Sequence, residues 1–349
     1  MLSTVSAVIS TYNSPEKLRA ALRSVELQSQ AVDEIIVVGD CCSDETERML
    51  EELSLPNLRY VNLPVRCGEQ SIPNAIGTLM ASSRFVAYLN HDDLWLPWHI
   101  SLAMESLSRN GKSWFIGSAA FCDSEAEEAG QVVPQFGSRT DPERTVAKSF
   151  TKVFNYLEPS SSWVVERDWV VSAKNWTPAW KIGRTPLAEL PLRLWKEKGE
   201  PNFGKDLSVA KVMGNRRKSS EPYYGHLPSL HRYLENLLRE TGERWPEEIS
   251  WPTWVSKGRN WYSTVLFAHL PGGDWSRKLL NRAVLAVYQI IGIDLVDRAI
   301  RKQSGTGQLL EEALKIRTGE EHLNRIDVSE VAAQLGLTGS RDDQGSEGS

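Results

Sequence analysis

Cysteine is scarce in this chain of 349 residues, which has four of them, at positions 41, 42, 67 and 122. Their spacing fits neither the ligand pattern of a structural zinc site nor the framework of a disulfide-rich secreted domain. Cys41 and Cys42 are adjacent, which is a poor geometry for a bond between them. We therefore expect reduced thiols in a cytoplasmic protein.

Long hydrophobic runs and an excess of positive charge are also lacking. The richest apolar stretch, residues 283–296, is interrupted by Gln289 and Asp294, so we expect no transmembrane helix. The opening residues, MLSTV, contain neither the basic nor the apolar region of a signal peptide. The formal net charge is -5, and a field of that sign does not favour nucleic acid as a partner.

A glycine-rich phosphate loop is absent after the first apolar run, where the sequence is TYNSPEK. A dinucleotide-dependent dehydrogenase would carry G-x-G-x-x-G at that place. A sugar-nucleotide nucleotidyltransferase would usually carry a basic, glycine-rich loop there. The sequence therefore argues against both enzyme classes.

Short apolar runs alternate with helical patterns in the first third of the chain. The predicted strands cover 5–10, 34–38, 58–63, 84–89 and 114–121, and predicted helices open near Pro15, Asp44, Pro73 and Pro97. This alternation favours a Rossmann-like α/β fold with a mostly parallel sheet flanked by helices. Gly, Pro and charged residues dominate 125–146, which predicts a loop or linker.

Three regions are expected along the chain. Residues 1–215 hold the α/β pattern and form the predicted binding and catalytic domain, 216–339 are predicted to be mainly helical, and 340–349 to be a disordered tail. Within the helical region, 277–302 is apolar through its middle and basic at both ends. That pattern fits peripheral contact with a membrane, a homodimer contact, or packing on the first domain.

Polar clusters directly follow three of the predicted strands, at 11–13, 39–44 and 90–93. Ligands of doubly wound sheets bind beyond the carboxyl ends of the strands, so we expect these clusters to meet at one edge. Each cluster also has an ordinary explanation as a strand-to-helix turn, a helix cap or a solvated turn. Their shared position is the stronger signal.

The chemistry of these clusters suits a nucleotide diphosphate, whose concentrated negative charge needs a metal ion or basic groups beside it. Tyr12 offers a ring that can stack on a base, and Asp40 offers an acceptor for a base N–H. Asp92 suits Mg²⁺ or Mn²⁺, because such ions bind through one or two carboxylates and complete their octahedron with phosphate oxygens and water.

Three stretches within residues 3–110 have the order and spacing of a known family. They are VSAVISTYN at 5–13, EIIVVGDCCSDET at 34–46 and YLNHDDLWLP at 88–97. They resemble the opening strand, the second strand with its acidic turn, and the strand ending in the metal-binding DxD motif of family-2 inverting glycosyltransferases with the GT-A fold. The resemblance implies transfer from a nucleotide-diphosphate sugar, with a UDP-sugar favoured, and a divalent Mn²⁺ or Mg²⁺ cofactor. The implied acceptor is a hydroxyl on a glycan, a lipid-linked molecule or another compound.

The resemblance also assigns roles to individual residues. It implies a nucleoside pocket lined by Thr11, Tyr12, Asn13 and Asp40. It places Arg66 and Asn74 beside the donor. It implies that Asp92 is the metal ligand and that Asp93 lies nearby.

The sequence departs from the family pattern at two positions. Asn90 stands where the first acid of DxD is usual; it can hydrogen-bond a ribose hydroxyl but adds no charge, which lowers the expected metal affinity. Gly39 stands where many members have an Asp, so the expected base contact falls to Asp40 alone.

The catalytic base is predicted in the second half of the first domain. TPLAELPLRLWKEKG at 185–199 resembles the family segment that carries a carboxylate shortly before an Arg. Glu189, four residues before Arg193, is the candidate base, although the usual paired acids are missing and Pro191 interrupts the segment. A surface glutamate is the alternative. Together with Asn90, it keeps open a non-catalytic sugar-nucleotide-binding or scaffolding relic of the same fold.

Tryptophan is abundant, with 13 residues, and an indole face suits a sugar ring. Trp163, Trp176, Trp180 and Trp195 are candidates for lining an acceptor site. Packing in the core is the alternative and the better-supported reading, because large aromatic side chains are mostly buried on average.

Overall fold

The structure of the chain is a computed structural model that describes residues 4–128, 131–140, 146, 159–178, 186–212 and 327–337. Most of the predicted helical region at 216–339, the tail at 340–349 and Trp180 lie outside the described residues.

Four parallel strands form one half of a single sheet. Their bounds are β1 (Val5–Thr11), β2 (Glu34–Gly39), β3 (Leu58–Asn62) and β4 (Phe85–Asn90), and their spatial order is β3-β2-β1-β4. The crossovers contain α1 (Pro15–Glu26), α2 (Asp44–Leu53) and α3 (Ser71–Met80). Because helices cover both faces, β1 and β2 are buried apolar runs rather than alternating ones. The predicted Rossmann-like α/β half is confirmed.

The other half of the sheet is mixed. It contains β5 (Asp93–Trp95), β6 (Trp114–Glu128), β7 (Gln131–Arg139), β8 (Trp163–Glu166) and β9 (Asn202–Val212). From β4 the order continues β8-β6-β9-β5, and β7 pairs with β6. β8 runs antiparallel to β4 and β6, whereas β9 runs parallel to β6 and antiparallel to β5. The remaining described helices are α4 (His99–Asn110), a 3-10 turn (Ser160–Ser162), α5 (Arg167–Ser172), α6 (Pro186–Lys198) and α7 (Val328–Gln334).

The predicted loop over 125–146 is wrong for much of its length, because β6 and β7 pair there as a long antiparallel hairpin. Ala126 is registered with Val133, and Glu128 with Gln131. Glu, Gly and Pro are depleted in strands generally, so composition gave no strand signal. The backbone ladder of an antiparallel pair requires no particular side chains.

Two helices begin at other residues than the sequence predicts. α4 begins at His99 rather than Pro97, because the preceding segment is still paired with β9: the Leu96 N–H donates to the Ser208 carbonyl at 2.9 Å. α3 begins at Ser71 rather than Pro73. The Glu69 carboxylate accepts the Ser71 N–H at 2.8 Å and so satisfies one of the free donors of the first turn.

Two hydrophobic cores cover the two faces of the sheet. The predicted apolar stripe of α1 is buried in the first core, together with the inner side of α4. α3 packs in the second core beside Val331 and Ala332 of α7. This C-terminal segment therefore packs on the first domain. Of the described helices, none is long and apolar enough to cross a membrane.

Two tryptophans that were candidates for an acceptor site lie in the second core. Trp163 and Trp176 are stacked with ring centroids 5.5 Å apart, and Trp176 meets Tyr88 edge-on at 5.1 Å. Both indoles are almost fully buried. Core packing is therefore the right explanation for these two residues.

Candidate functional site

An open cleft with about 440 Å³ of empty space lies at the carboxyl edge of β1, β2 and β4. Three predicted clusters contribute to it, because parallel neighbouring strands bring their carboxyl ends together. The lining residues are Ser10, Thr11, Tyr12, Asp40, Arg66, Gly68, Glu69, Gln70, Pro73 and His91.

Asp40 anchors the loop that forms one wall of the cleft. Its two carboxylate oxygens accept the backbone N–H groups of Cys67, at 2.6 Å, and Gly68, at 2.8 Å. Burial raises the pKa of Asp40, and these hydrogen bonds only partly offset that effect. A carboxylate has about four acceptor positions, so acceptor capacity remains for a ligand N–H. The sequence did not reveal this role in loop anchoring.

Tyr12 and Arg66 form a flat surface in the cleft. The guanidinium carbon of Arg66 lies 3.8 Å from the centroid of the Tyr12 ring, which is a cation–π contact. Both side chains line the cleft, as the sequence predicts. The pair offers a planar cation and an aromatic ring, groups that suit a base and a phosphate.

Buried polar atoms beside the cleft lack hydrogen-bond partners among the described residues. They include Oγ1 of Thr11 and Nδ2 of Asn74, on side chains that are almost fully buried. Such groups are rare in folded proteins, and a ligand is one explanation for them. Thr11 lines the cleft, whereas Asn74 lies behind it in the first turn of α3.

Asn13 has a structural contact instead of a place in the cleft lining. Its side chain is exposed, and its Oδ1 accepts the Ser43 N–H at 2.8 Å. Its φ of 38° is in the left-handed region, which Asn tolerates better than most residues. Asn13 thus joins the turn after β1 to the start of α2.

The turn from Asn90 to Asp93 is held by an internal network. The Asn90 amide donates to Asp93 at 3.0 Å, and Ser161 Oγ donates to the same Asp93 oxygen at 2.6 Å. Lys211 Nζ lies 3.2 Å from the other oxygen of Asp93. Burial raises the pKa of Asp93, and the neighbouring Asp92 acts in the same direction, while Lys211 opposes both. Asp93 is fully buried in this network.

Asp92 is the half-buried acid of the turn. Burial opposes its ionisation, but the positive charges of Lys211, His91 and Lys17 outweigh burial and hold the pKa of Asp92 below its usual value. An ionised carboxylate therefore stands next to the cleft-lining His91.

The donor set fits a metal ion only when a ligand completes the coordination. Among the residues that the structure describes, no group of three His, Cys, Asp or Glu side chains could hold a metal. Mg²⁺ commonly takes one or two carboxylates together with substrate phosphates and water. One available carboxylate at Asp92 agrees with that arrangement.

Sequence reasoning missed two groups that shape the site. The buried 3-10 turn Ser160–Ser162 contacts Gln70 and Asn90 through Ser160, and Asp93 through Ser161. The His91 ring faces the Ser10 carbonyl with its Nδ1 at 3.1 Å. The run of three serines before β8 was the available signal, but their partners lie about 70 to 90 residues away in sequence.

Glu189, the candidate base, is buried on α6 in an ion pair with Arg193. The Arg193 Nη2 and Nε donate to its two carboxylate oxygens at 2.8 and 2.5 Å. Arg193 also donates to the carbonyls of Ala173 and Asn175, so the pair fastens α6 to the segment after α5. The alternative of a surface glutamate is wrong, because Glu189 is 3% exposed. Its role as a base stays a prediction.

Residues 6–156 match the sequence profile described as Glycosyl transferase family 2. This match covers the parallel strands, the acid turn and the cleft described above.

Two curated relatives match parts of this chain. It is 26% identical over 131 residues to the Escherichia coli protein UDP-Glc:alpha-D-GlcNAc-diphosphoundecaprenol beta-1,3-glucosyltransferase WfgD, covering 38% of this chain and 51% of WfgD. It is 31% identical over 93 residues to the succinoglycan biosynthesis protein ExoO of Rhizobium meliloti (strain 1021), covering 27% of this chain and 26% of ExoO. The chain thus spans about half the length of WfgD and a quarter of ExoO.

A solved structure agrees with the fold. The crystal structure of residues 1–349 of S. aureus TarS aligns with a TM-score of 0.50 at 12% identity, covering 93% of this chain and 95% of that chain. The likeness supports the GT-A fold that the sequence predicts.

The anchoring role of Asp40 can be tested with Asp40→Asn. Asn has a single acceptor oxygen, so one of the two loop N–H groups loses its partner, at a cost of about 1–3 kcal/mol. We expect faster amide hydrogen exchange at Cys67 and Gly68 and weaker nucleotide binding. Asp44→Asn removes an exposed carboxylate outside the cleft lining and is the control. Unchanged exchange at both amides would contradict the role.

Proposed function

We propose that the chain is an inverting glycosyltransferase that takes a sugar from a nucleotide-diphosphate sugar and transfers it to an acceptor hydroxyl. The observation that carries this proposal is the convergence of Thr11, Tyr12, Asp40 and Arg66 on one cleft with Asp92 beside it. The family-2 domain at 6–156 supports the same chemistry.

The donor is proposed to be a UDP-sugar. Asp40 keeps an acceptor position for a base N–H, and Tyr12 with Arg66 provides the planar surface against which a base can lie. The buried Thr11 hydroxyl is a further group for the nucleoside. The name of WfgD, which specifies UDP-Glc, favours UDP among the nucleotides.

A divalent ion, Mn²⁺ or Mg²⁺, is proposed to bind at Asp92 together with the donor diphosphate. When bound, it supplies a Lewis acid that neutralises charge developing on the leaving diphosphate. Asp92 holds an ionised carboxylate for it, because the charges of Lys211 and Lys17 favour the ionised form of Asp92. Asn90 adds no charge to this turn, so moderate metal affinity is expected.

The acceptor is proposed to be a hydroxyl on a glycan or on a lipid-linked molecule. WfgD is named for a GlcNAc-diphosphoundecaprenol acceptor, which makes a lipid-linked diphosphate the first candidate to test. We also propose a cytoplasmic location. We propose peripheral membrane contact or a homodimer contact through the C-terminal helical region.

Inversion requires a base that accepts the proton of the attacking hydroxyl, and Glu189 is the candidate. Its carboxylate is intact and buried, but Arg193 occupies both of its oxygens. An acceptor hydroxyl must therefore compete with Arg193 for Glu189.

That ion pair favours a second candidate function, binding of a sugar nucleotide without turnover. In this case Glu189 serves only to fasten α6, and the chain is a binding or scaffolding relic of the fold. Donor binding is common to both functions, and product release separates them.

Calorimetric titration with UDP, GDP, dTDP and CDP, each with Mn²⁺, Mg²⁺ or EDTA, tests the donor site. We expect one nucleotide, UDP, to bind more tightly with metal, and Asp92→Ala to remove that gain because it removes the available carboxylate of the turn. Asp44→Ala removes an exposed acid near the same sheet edge and should bind like the wild type. If folded wild-type protein binds none of the four nucleotides, the proposal is wrong.

Glu189→Gln separates the two functions. If Glu189 is the base, UDP release on addition of a lipid-linked diphosphate sugar acceptor should fall by about 10²–10⁴-fold, because positioned general bases contribute that much. Donor binding should be unchanged. Glu197→Gln, an exposed change on the same helix, is the control. Wild-type turnover in Glu189→Gln would exclude Glu189 as the base, and donor binding without turnover in the wild type would favour the relic.

A further inference from the structure

The position of Asp92 is set by a strand from the far end of the described domain. Asp92 immediately precedes β5, and β5 has one partner strand among the described residues, the antiparallel β9. In that ladder Asp93 lies opposite Lys211 and Trp95 opposite Val209. A strand of three residues has few backbone hydrogen bonds of its own, so contacts between its side chains and β9 matter for its placement.

Lys211 and Asp93 form an ion pair in addition to the backbone pairing of β5 with β9. The Nζ of Lys211 lies 3.2 Å from Oδ1 and 3.5 Å from Oδ2 of Asp93. The Asp93 side chain is fully buried, and that of Lys211 is 20% exposed. Because a buried carboxylate without a counter-charge is costly, Lys211 is the group that keeps an ionised Asp93 compatible with this place.

The same network explains why position 90 carries an asparagine. Its amide donates to Asp93, and its Oδ1 accepts from Ser160. An aspartate at position 90 would place a second carboxylate, which has no hydrogen to donate, against Asp93. With Asn90 present, Lys211 is paired with one carboxylate, that of Asp93, and Asp92 is the remaining carboxylate of the turn.

We propose that Lys211 is a positioning residue of the donor site, which acts through its ion pair with Asp93 to hold Asp92 where a donor-bound divalent ion can reach it. This inference rests on the proposed donor binding at the cleft. It assigns to β9, outside the 6–156 family match, a role in metal-assisted binding of the diphosphate.

The test compares UDP affinity with Mn²⁺ and with EDTA in Lys211→Met. The ratio of the two affinities measures the contribution of the metal. We expect that ratio to fall by about 10–100-fold, the usual effect of losing a partner behind a metal ligand, while the affinity in EDTA stays at the wild-type level. Lys211→Arg should restore most of the ratio. Lys205→Met, an exposed change on the same strand, should leave it unchanged.

Two results would overturn the role of Lys211. An unchanged ratio in Lys211→Met would make the ion pair structural only. An equal loss of both affinities would mean that Lys211 contacts the nucleotide directly or that the cleft has collapsed.

If Lys211→Met does not fold, the double variant Lys211→Met with Asp93→Asn removes both charges and avoids a buried unpaired carboxylate. We expect it to fold and to show the same loss of ratio, and a retained ratio would overturn the proposal. Wild-type protein that binds UDP without any gain from metal would overturn this inference and the proposed metal site, but not the proposed donor cleft. Wild-type protein that binds no nucleotide would overturn the proposed function beneath it.

Discussion

The parallel pairing of β1 between β2 and β4 is the constraint on which the site depends. Thr11 is registered with Gly39, and Ser10 with Asn90, so three chain segments leave the sheet at the same edge. The Asp40 N–H donates to the Thr11 carbonyl at 2.8 Å, which carries the pairing one residue past the end of β2. A cleft at this edge follows from the ladder, since each strand must turn away there toward its helix.

Two buried carboxylates hold the segments at this edge: Asp40 lines the cleft, and Asp93 lies in the turn that carries the cleft-lining His91. Asp40 is satisfied by backbone N–H groups of a loop, whereas Asp93 is satisfied by Lys211, Ser161 and Asn90. Burying an acid is tolerated where each oxygen has donors, so both acids fix the shape of the walls around them. Asp92 differs because it is half-buried and because neighbouring charges favour its ionised form.

The sequence was sufficient for the parallel half of the fold and for the residues that follow its strands. Thr11, Tyr12 and Asp40 could be placed at one cleft because local apolar runs identify the strands and topology brings their ends together, whereas Arg66 was implied by the family resemblance. The contacts made by the mixed half of the sheet could not be predicted from the sequence. Two partners of Asp93, Ser161 and Lys211, are 68 and 118 residues away, on elements whose pairing with β4, β5 and β6 no local pattern reveals.

The spacing of Glu189 and Arg193 in the sequence has two possible interpretations. An acid four residues before an Arg on a helix is the spacing of an ion pair, and the structure has that pair with a bidentate geometry. The same spacing resembled a catalytic segment of the family. Glu189 is buried in an ion pair with Arg193, which is a structural contact. Its catalytic role is left to experiment.

Photolabelling tests most directly whether the carboxyl-edge cleft is the donor site. Full-length protein would be irradiated with 5-azido-UDP-glucose and Mn²⁺, and the labelled peptides mapped by mass spectrometry with and without excess UDP. If this cleft is the donor site, label that UDP competes away should appear on peptides containing residues 10–13, 64–74 or 90–93. Label that UDP competes away solely from peptides beyond residue 215 would contradict it.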